Sequence, residues 1–149
     1  MANEIERKFL VRSEFRHLAV KKLNITQFYL STDPGRTIRV RISDSEAFLT
    51  IKNKPDINSI TRFEWEYPIP VTDAIEMMQV SLPGKVVKTR YIVPFGNQIF
   101  EVDVFHENNE GLIIAEIELD SEDQIVEKPD WLGKEVTGIP DYYNSNLIK

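Results

Sequence analysis

The 149-residue sequence contains no cysteine, which excludes disulfide stapling, thiolate catalysis and cysteine-ligated zinc together. Histidine is almost absent too. His17 and His106 stand isolated and read as surface or turn residues. Positive charge is in deficit, with 18 Lys plus Arg against 24 Asp plus Glu and no basic tail, so no nucleic-acid or anionic-membrane partner is expected. Long apolar runs are missing as well. Met1-Ala2-Asn3-Glu4 leads straight into charged residues, with neither a signal-peptide core nor a stretch of membrane-spanning length, and a cytoplasmic location is expected. No internal repeat or low-complexity tract stands out. The length fits one domain, 1–149, able to bury a core and line one polar cavity.

What is present is alternation. Residues 3 to 9 place Glu4, Glu6 and Lys8 on one face and Ile5, Arg7 and Phe9 on the other, the period of a strand. Similar stretches recur at about 25–31, 37–43, 47–53, 61–67, 86–93, 98–104 and 112–119, making eight strands. Between them lie turn signals: Asp33-Pro34-Gly35, Asp44-Ser45, Asn53 through Ser59, Pro83-Gly84, Gly96-Asn97 and Asn108 to Gly111. Such short links favour antiparallel neighbours. Two helices are expected, one from about Ser13 to Lys21 with Ser13 as cap and Phe15, Leu18 and Lys22 at near-helical spacing, and one from Asp73 to Val80 with an Asp73-x-x-Glu76 capping arrangement. The final stretch, with Trp131, Tyr142, Tyr143 and Leu147, reads as an ordered cover on the outside of the sheet.

Splitting each strand by parity separates apolar residues from charges. Ile38, Val40 and Ile42 alternate with Arg39 and Arg41, while Phe63, Trp65 and Tyr67 alternate with Arg62, Glu64 and Glu66. Over all strands the charged face holds eight acids: Glu4, Glu6, Glu64, Glu66, Glu101, Asp103, Glu116 and Glu118. It also holds seven bases: Lys8, Arg39, Arg41, Lys52, Arg62, Lys88 and Arg90. A sheet with one face in water alternates in the same way, and an exposed ladder of salt bridges is the competing account. Against it, carboxylate pairs and Arg/Lys pairs repeat with few neutral polar residues between them. If eight strands close into an antiparallel barrel, these groups converge on an interior that must be wet and ligand-binding. The bases suit a polyanion. Carboxylates beside it would need hard divalent cations between, and pairs at i and i+2 such as Glu4/Glu6 and Glu116/Glu118 can share an ion, Mg²⁺ or Mn²⁺.

The segment Glu4-Ile5-Glu6-Arg7-Lys8 is followed in order by Ile38-Arg39-Val40-Arg41, Leu49-Thr50-Ile51-Lys52, Glu64-Trp65-Glu66, Lys88-Thr89-Arg90-Tyr91, Glu101-Val102-Asp103 and Ala115-Glu116-Ile117-Glu118-Leu119. This series, with the tail from Trp131 to Leu147, resembles the CYTH domain proteins, or triphosphate tunnel metalloenzymes, and within them the short bacterial inorganic triphosphatases. The resemblance implies a mainly β fold, an eight-stranded antiparallel tunnel with a few short flanking helices. It implies that Lys8, Arg39, Arg41, Lys52, Lys88 and Arg90 hold phosphates, with Arg62 and Lys85 as additional contacts. Glu4, Glu6, Asp103, Glu116 and Glu118 would surround Mg²⁺ or Mn²⁺. Tyr29 matches a tyrosine that works with the motif lysine, which implies Lys8 and Tyr29 as a catalytic pair; a wall aromatic is the alternative role for Tyr29.

The activity implied is metal-dependent hydrolysis of a triphosphate, inorganic tripolyphosphate to diphosphate and phosphate. The alternatives are a class IV adenylyl cyclase, a thiamine triphosphatase, and a non-catalytic phosphopolymer or nucleotide-binding protein. A cyclase must recognise adenine, yet Trp65, Tyr67 and Tyr91 fall on the uncharged parity; a thiamine site needs a surface for an aromatic cation. The partner expected is a small polyanion. Monomer and homodimer are both compatible with the sequence.

Overall fold

The computed structural model describes residues 3–53 and 60–148, so most of the turn expected over Asn53 to Ser59 lies outside the described residues. Eight antiparallel strands follow the chain: β1 (Asn3–Val11), β2 (Lys21–Ser31), β3 (Thr37–Ser43), β4 (Glu46–Lys52), β5 (Thr61–Ile69), β6 (Val86–Phe95), β7 (Gln98–Phe105) and β8 (Ile113–Glu118). Their order is β5-β4-β3-β2-β6-β7-β8-β1, and β5 pairs back onto β1 through Glu4 opposite Arg62, closing the barrel. Two-residue links fix the register at two hairpins, Asp44-Ser45 between β3 and β4 and Gly96-Asn97 between β6 and β7. Asp44 and Gly96 take φ of 52° and 61°, the left-handed backbone that such tight turns require and that Asp and Gly tolerate best.

The apolar core lies on the outside of this barrel. Phe9, Val93, Phe100, Val102, Ala115 and Ile117 point outward and pack against Phe15, Val126, Trp131 and Leu132. On another side α1 (Val71–Met77) lays Ala74 on Phe28, Val40 and Ala47. A third cluster is different. Val86, Phe105 and Ile114 share the inward parity of the charged residues, and with Leu147 they fill one end of the lumen. Asn109 fastens this plug by donating from Nδ2 to the Leu147 carbonyl at 2.7 Å. Among the described residues no helix is long and apolar enough to cross a membrane.

Three expectations need correction. The helix expected over Ser13–Lys21 is a single 3₁₀ turn, Arg16–Leu18, because the Glu14 carboxylate takes the Phe15 and Arg16 amides and Phe15 is buried against Tyr91 and Trp131. The chain is extended again by Ala19, Leu18 and Lys22 stay exposed, and Lys21 already belongs to β2. The second helix exists, but it starts at Val71 after Pro70, so Asp73 sits in its first turn and makes no side-chain cap. The tail is more than a cover. It adds β9 (Leu132–Glu135), paired antiparallel with the end of β1, and then runs through 3₁₀ turns at Pro140–Tyr142 and Asn144–Asn146.

β9 approaches β1 so closely that a Cβ on Gly133 would meet the Leu10 carbonyl oxygen at 2.9 Å and its carbon at 3.2 Å. The obstacle is backbone and cannot swing aside. Gly133→Ala should therefore cost about 1–3 kcal/mol in a denaturant titration, whereas Gly35→Ala, which meets only the Asp33 side chain, should stay within about 0.5 kcal/mol.

Candidate active site

The inward parity of the strands makes a cavity of about 180 Å³. From β1 it receives Glu4, Glu6 and Lys8, from β2 Tyr29, from β3 Arg39 and Arg41, and from β4 Thr50 and Lys52. The strands β5 to β8 add Arg62, Glu64, Glu66, Lys88, Arg90, Glu101, Glu116 and Glu118. Two expected residues lie elsewhere. Lys85 is exposed in the loop before β6, and Asp103, although on the inward parity, is buried beneath Arg90 and Lys88, which engage it.

The charges divide into paired and crowded groups. Arg90 donates to both Asp103 oxygens at 2.8 and 3.0 Å and reaches Glu101 at 3.2 Å and Glu116 at 3.3 Å. Lys88 meets Asp103 at 2.7 Å. Lys8 is held by Glu116 at 2.6 Å and Glu6 at 3.5 Å, and its backbone is fixed by Thr137 and Val136 of the tail. Lys52 pairs with Glu4 at 3.0 Å, while Arg39 and Arg41 share one oxygen of Glu66. Arg62 is the exception. Among the described residues it has no carboxylate within ion-pair distance, and its guanidinium lies 5.2 Å over the Tyr143 ring.

These pairings set the protonation of the lumen. Burial raises a carboxyl group's pKa, but the neighbouring cations Lys8, Arg90 and Lys88 outweigh it for Glu116, and Arg90 and Lys88 outweigh it for Asp103, so both are held below the usual range. Burial also opposes the charge on Lys8, yet Glu116 and Glu6 overcome that and hold it firmly as an ammonium. Elsewhere like charges crowd. Glu6 is raised by burial and by Glu116, Glu4 by burial and Glu64, and Glu118 by burial with Glu101 and Glu4. Burial also lifts Glu101, against the pull of Arg90. On the basic side, burial and the nearby Arg39 and Arg90 lower Arg41 to about 10, and burial with Arg90 lowers Lys88 to about 7 despite Asp103. The Nε of Arg39 is buried with no acceptor among the described residues.

The lumen therefore carries unsatisfied charge of both signs. Cationic donors in surplus fit a polyanion, and crowded carboxylates fit a cation. The donor set is oxygen only, the preference of Mg²⁺ and Mn²⁺. Among the described residues no group of three or more His, Asp or Glu converges into a cage for an ion. Magnesium bound through one or two carboxylates together with substrate phosphates does not require such a cage, so the residues present fit it.

The CYTH domain profile matches residues 2–143. The chain belongs to the CYTH domain family. It is similar to an inorganic triphosphatase of Acetivibrio thermocellus, 42% identical over 150 residues and covering 100% of this chain and 95% of that protein. An inorganic triphosphatase of Nitrosomonas europaea is 38% identical, with 97% and 95% covered. A crystal structure of an inorganic triphosphatase superposes with a TM-score of 0.69 at 34% identity over 97% of both chains. Against this CYTH lumen, sequence reasoning missed Tyr143, Asn144 and Ser145, which line it from the tail. The run Asn144-Ser145-Asn146, polar and set between Tyr143 and Leu147, is the signal that an apolar outer cover does not account for.

Parity makes a sharp distinction between two arginines. Arg39 faces the lumen, whereas Arg7 lies on the outer side near the Glu122 carbonyl and Glu135. Arg39→Ala should lower kcat/KM on inorganic triphosphate by about ten- to a hundredfold, the worth of charge-assisted contacts, and Arg7→Ala by less than about threefold. Equal losses in a steady-state assay would contradict the assignment.

Proposed function

We propose that this CYTH protein hydrolyses inorganic triphosphate to diphosphate and phosphate with a divalent metal ion, Mg²⁺ or Mn²⁺. The observation that carries this is the double charge imbalance in one cavity: crowded bases including Arg39, Arg41 and Lys88 face crowded carboxylates including Glu4, Glu6, Glu101 and Glu118. Its similarity to two inorganic triphosphatases over nearly their full length supports the substrate.

Phosphoanhydride hydrolysis asks the protein for positioning and charge neutralisation more than for covalent chemistry. Arg39, Arg41, Lys52 and Arg90 grip the phosphate oxygens, with Arg62 and Lys88 adding donors. Glu4, Glu6, Glu116 and Glu118 hold the metal ions, which when bound offset the negative charge of substrate and leaving group. Asp103, with its oxygens spent on Arg90 and Lys88, sets the position of those two cations. Lys8 acts as a charged donor, oriented by Glu116, and Tyr29 presents its hydroxyl across the same cavity; together they orient the attacking water. The catalytic pair thus works by orientation, since the carboxylates around Lys8 favour its protonated form.

Turnover assays on tripolyphosphate, ATP and thiamine triphosphate test the reading. Tripolyphosphate should lead in kcat/KM by about tenfold or more, EDTA should abolish the activity, and no cyclic AMP should form from ATP. Cyclic AMP as the main product would move the chain to the cyclases. The metal assignment is tested separately: Glu6→Gln should lose about tenfold in activity at low Mg²⁺ and recover with excess Mn²⁺, while Asp103→Asn should lose activity that no metal concentration restores.

A further inference from the structure

The blind end of the lumen is finished by the turn Asn144–Asn146, and its first residue is tied to the strands by side chain alone. Asn144 Oδ1 accepts from Lys88 Nζ at 2.7 Å and from Gln27 Nε2 at 2.7 Å. Lys88, ion-paired with Asp103 at 2.7 Å, turns an N–H donor toward this amide, so the end facing Lys88 is the oxygen. Both donors thereby fix which way round the amide lies. Its other end, Nδ2, has no acceptor among the described residues, although Asn144 lines the cavity. A donor group of fixed orientation, backed by a buried lysine and a fully buried glutamine, is thus left beside the space where the polyanion fits.

We propose that Asn144 is a substrate-binding residue, donating from Nδ2 to an oxygen of the phosphate lodged at the blind end while its Oδ1 keeps Lys88 aimed at the same group. Asn144 then belongs to the substrate site as well as to the turn that finishes the plug. Gln27 is a positioning residue in this arrangement. It touches no substrate and acts through Asn144, and its own Oε1 is buried without a partner among the described residues, so the amide is held there by Asn144 and the nearby Tyr29 hydroxyl. Tyr143, stacked on Arg62, anchors the turn from the opposite side of Asn144 in sequence.

The inference rests on the triphosphate reading, and the test separates the two. Binding of tripolyphosphate in Ca²⁺, chosen to slow turnover, is measured by calorimetry alongside steady-state kinetics in Mg²⁺ or Mn²⁺. If the wild type neither binds nor cleaves tripolyphosphate, the functional reading fails. If it does, Asn144→Asp should raise KM and weaken binding by about tenfold or more, because the donor becomes a carboxylate facing a polyanion, with kcat changed by less than about threefold. Asn144→Ala removes the donor without adding charge and should give a smaller shift in the same direction, about three- to tenfold. Asn146→Asp is the control for damage to the turn: it makes the same change at an exposed residue whose Nδ2 donates to the Pro140 carbonyl. Asn146→Asp should leave KM within twofold. KM and affinity unchanged in both Asn144 variants, or raised equally by Asn146→Asp, would overturn the assignment.

Discussion

A closed β-barrel forces every second side chain inward, and around the cavity of this chain most of those side chains are charged. Ions cannot be left dry and unpaired, since each buried charge costs several kcal/mol unless it finds a partner. The rest of the architecture follows from this constraint. Because the inside cannot serve as the apolar core, the core moves to the outer face, where it needs covers: α1 over Phe28 and Val40, the tail over Phe9, Phe100 and Ile117. One end is closed by inward apolar residues, Val86, Phe105 and Ile114, together with Leu147.

Pairing satisfies only part of the charge. Asp103 is the clearest satisfied case, gripped through both oxygens and held ionised by Arg90 and Lys88. Glu4, Glu6 and Glu118 are the opposite case, pushed toward protonation by burial and by one another. Arg41 and Lys88 mirror them on the basic side. A fold that concentrates like charge at two places in one cavity spends stability there, and the expense makes sense where ligands of opposite sign relieve both at once. A polyphosphate alone would relieve the bases while worsening the acids. A divalent cation alone would do the reverse. The pair together suits the whole lumen, which is why the electrostatics point to joint binding of metal and triphosphate.

The inward face was legible in the sequence because strand parity has a period of two and does not depend on what packs where. Arg39 and Arg41, Glu64 and Glu66, and Lys88 and Arg90 were separable from their apolar neighbours without any knowledge of the barrel. Finer distinctions depend on cross-strand neighbours, direct and diagonal. Glu101 and Asp103 look equivalent along β7, yet only Asp103 falls where Arg90 and Lys88 take both of its oxygens, while Glu101 reaches the cavity. The Ser13–Lys21 helix failed because helical spacing of Phe15 and Leu18 ignores the tertiary pocket formed by Tyr91 and Trp131, which captures Phe15 alone. Asn144 was hidden for a related reason. Its role depends on Lys88 and Gln27, residues 56 and 117 positions away in sequence, and no local pattern reports such a meeting.

The composition of the lumen also bears on which triphosphate it accommodates. A nucleotide or thiamine substrate carries an aromatic ring that needs an apolar or stacking surface in line with the phosphates. Among the described residues the cavity offers two aromatic side chains, Tyr29 and Tyr143. Tyr29 is buried, and one face of Tyr143 is covered by the Arg62 guanidinium 5.2 Å from its centre. Trp65 and Tyr67, the larger stacking surfaces nearby in sequence, face outward with the apolar parity of β5. The blind end is closed by Leu147 and its neighbours, so a ring attached to the terminal phosphate has no exit there. A base or thiazole would have to lie past Glu4, Glu64 and Glu118, where among the described residues no aromatic side chain lines the pocket. An all-phosphate substrate needs no such surface, and charge alone can hold it along its full length.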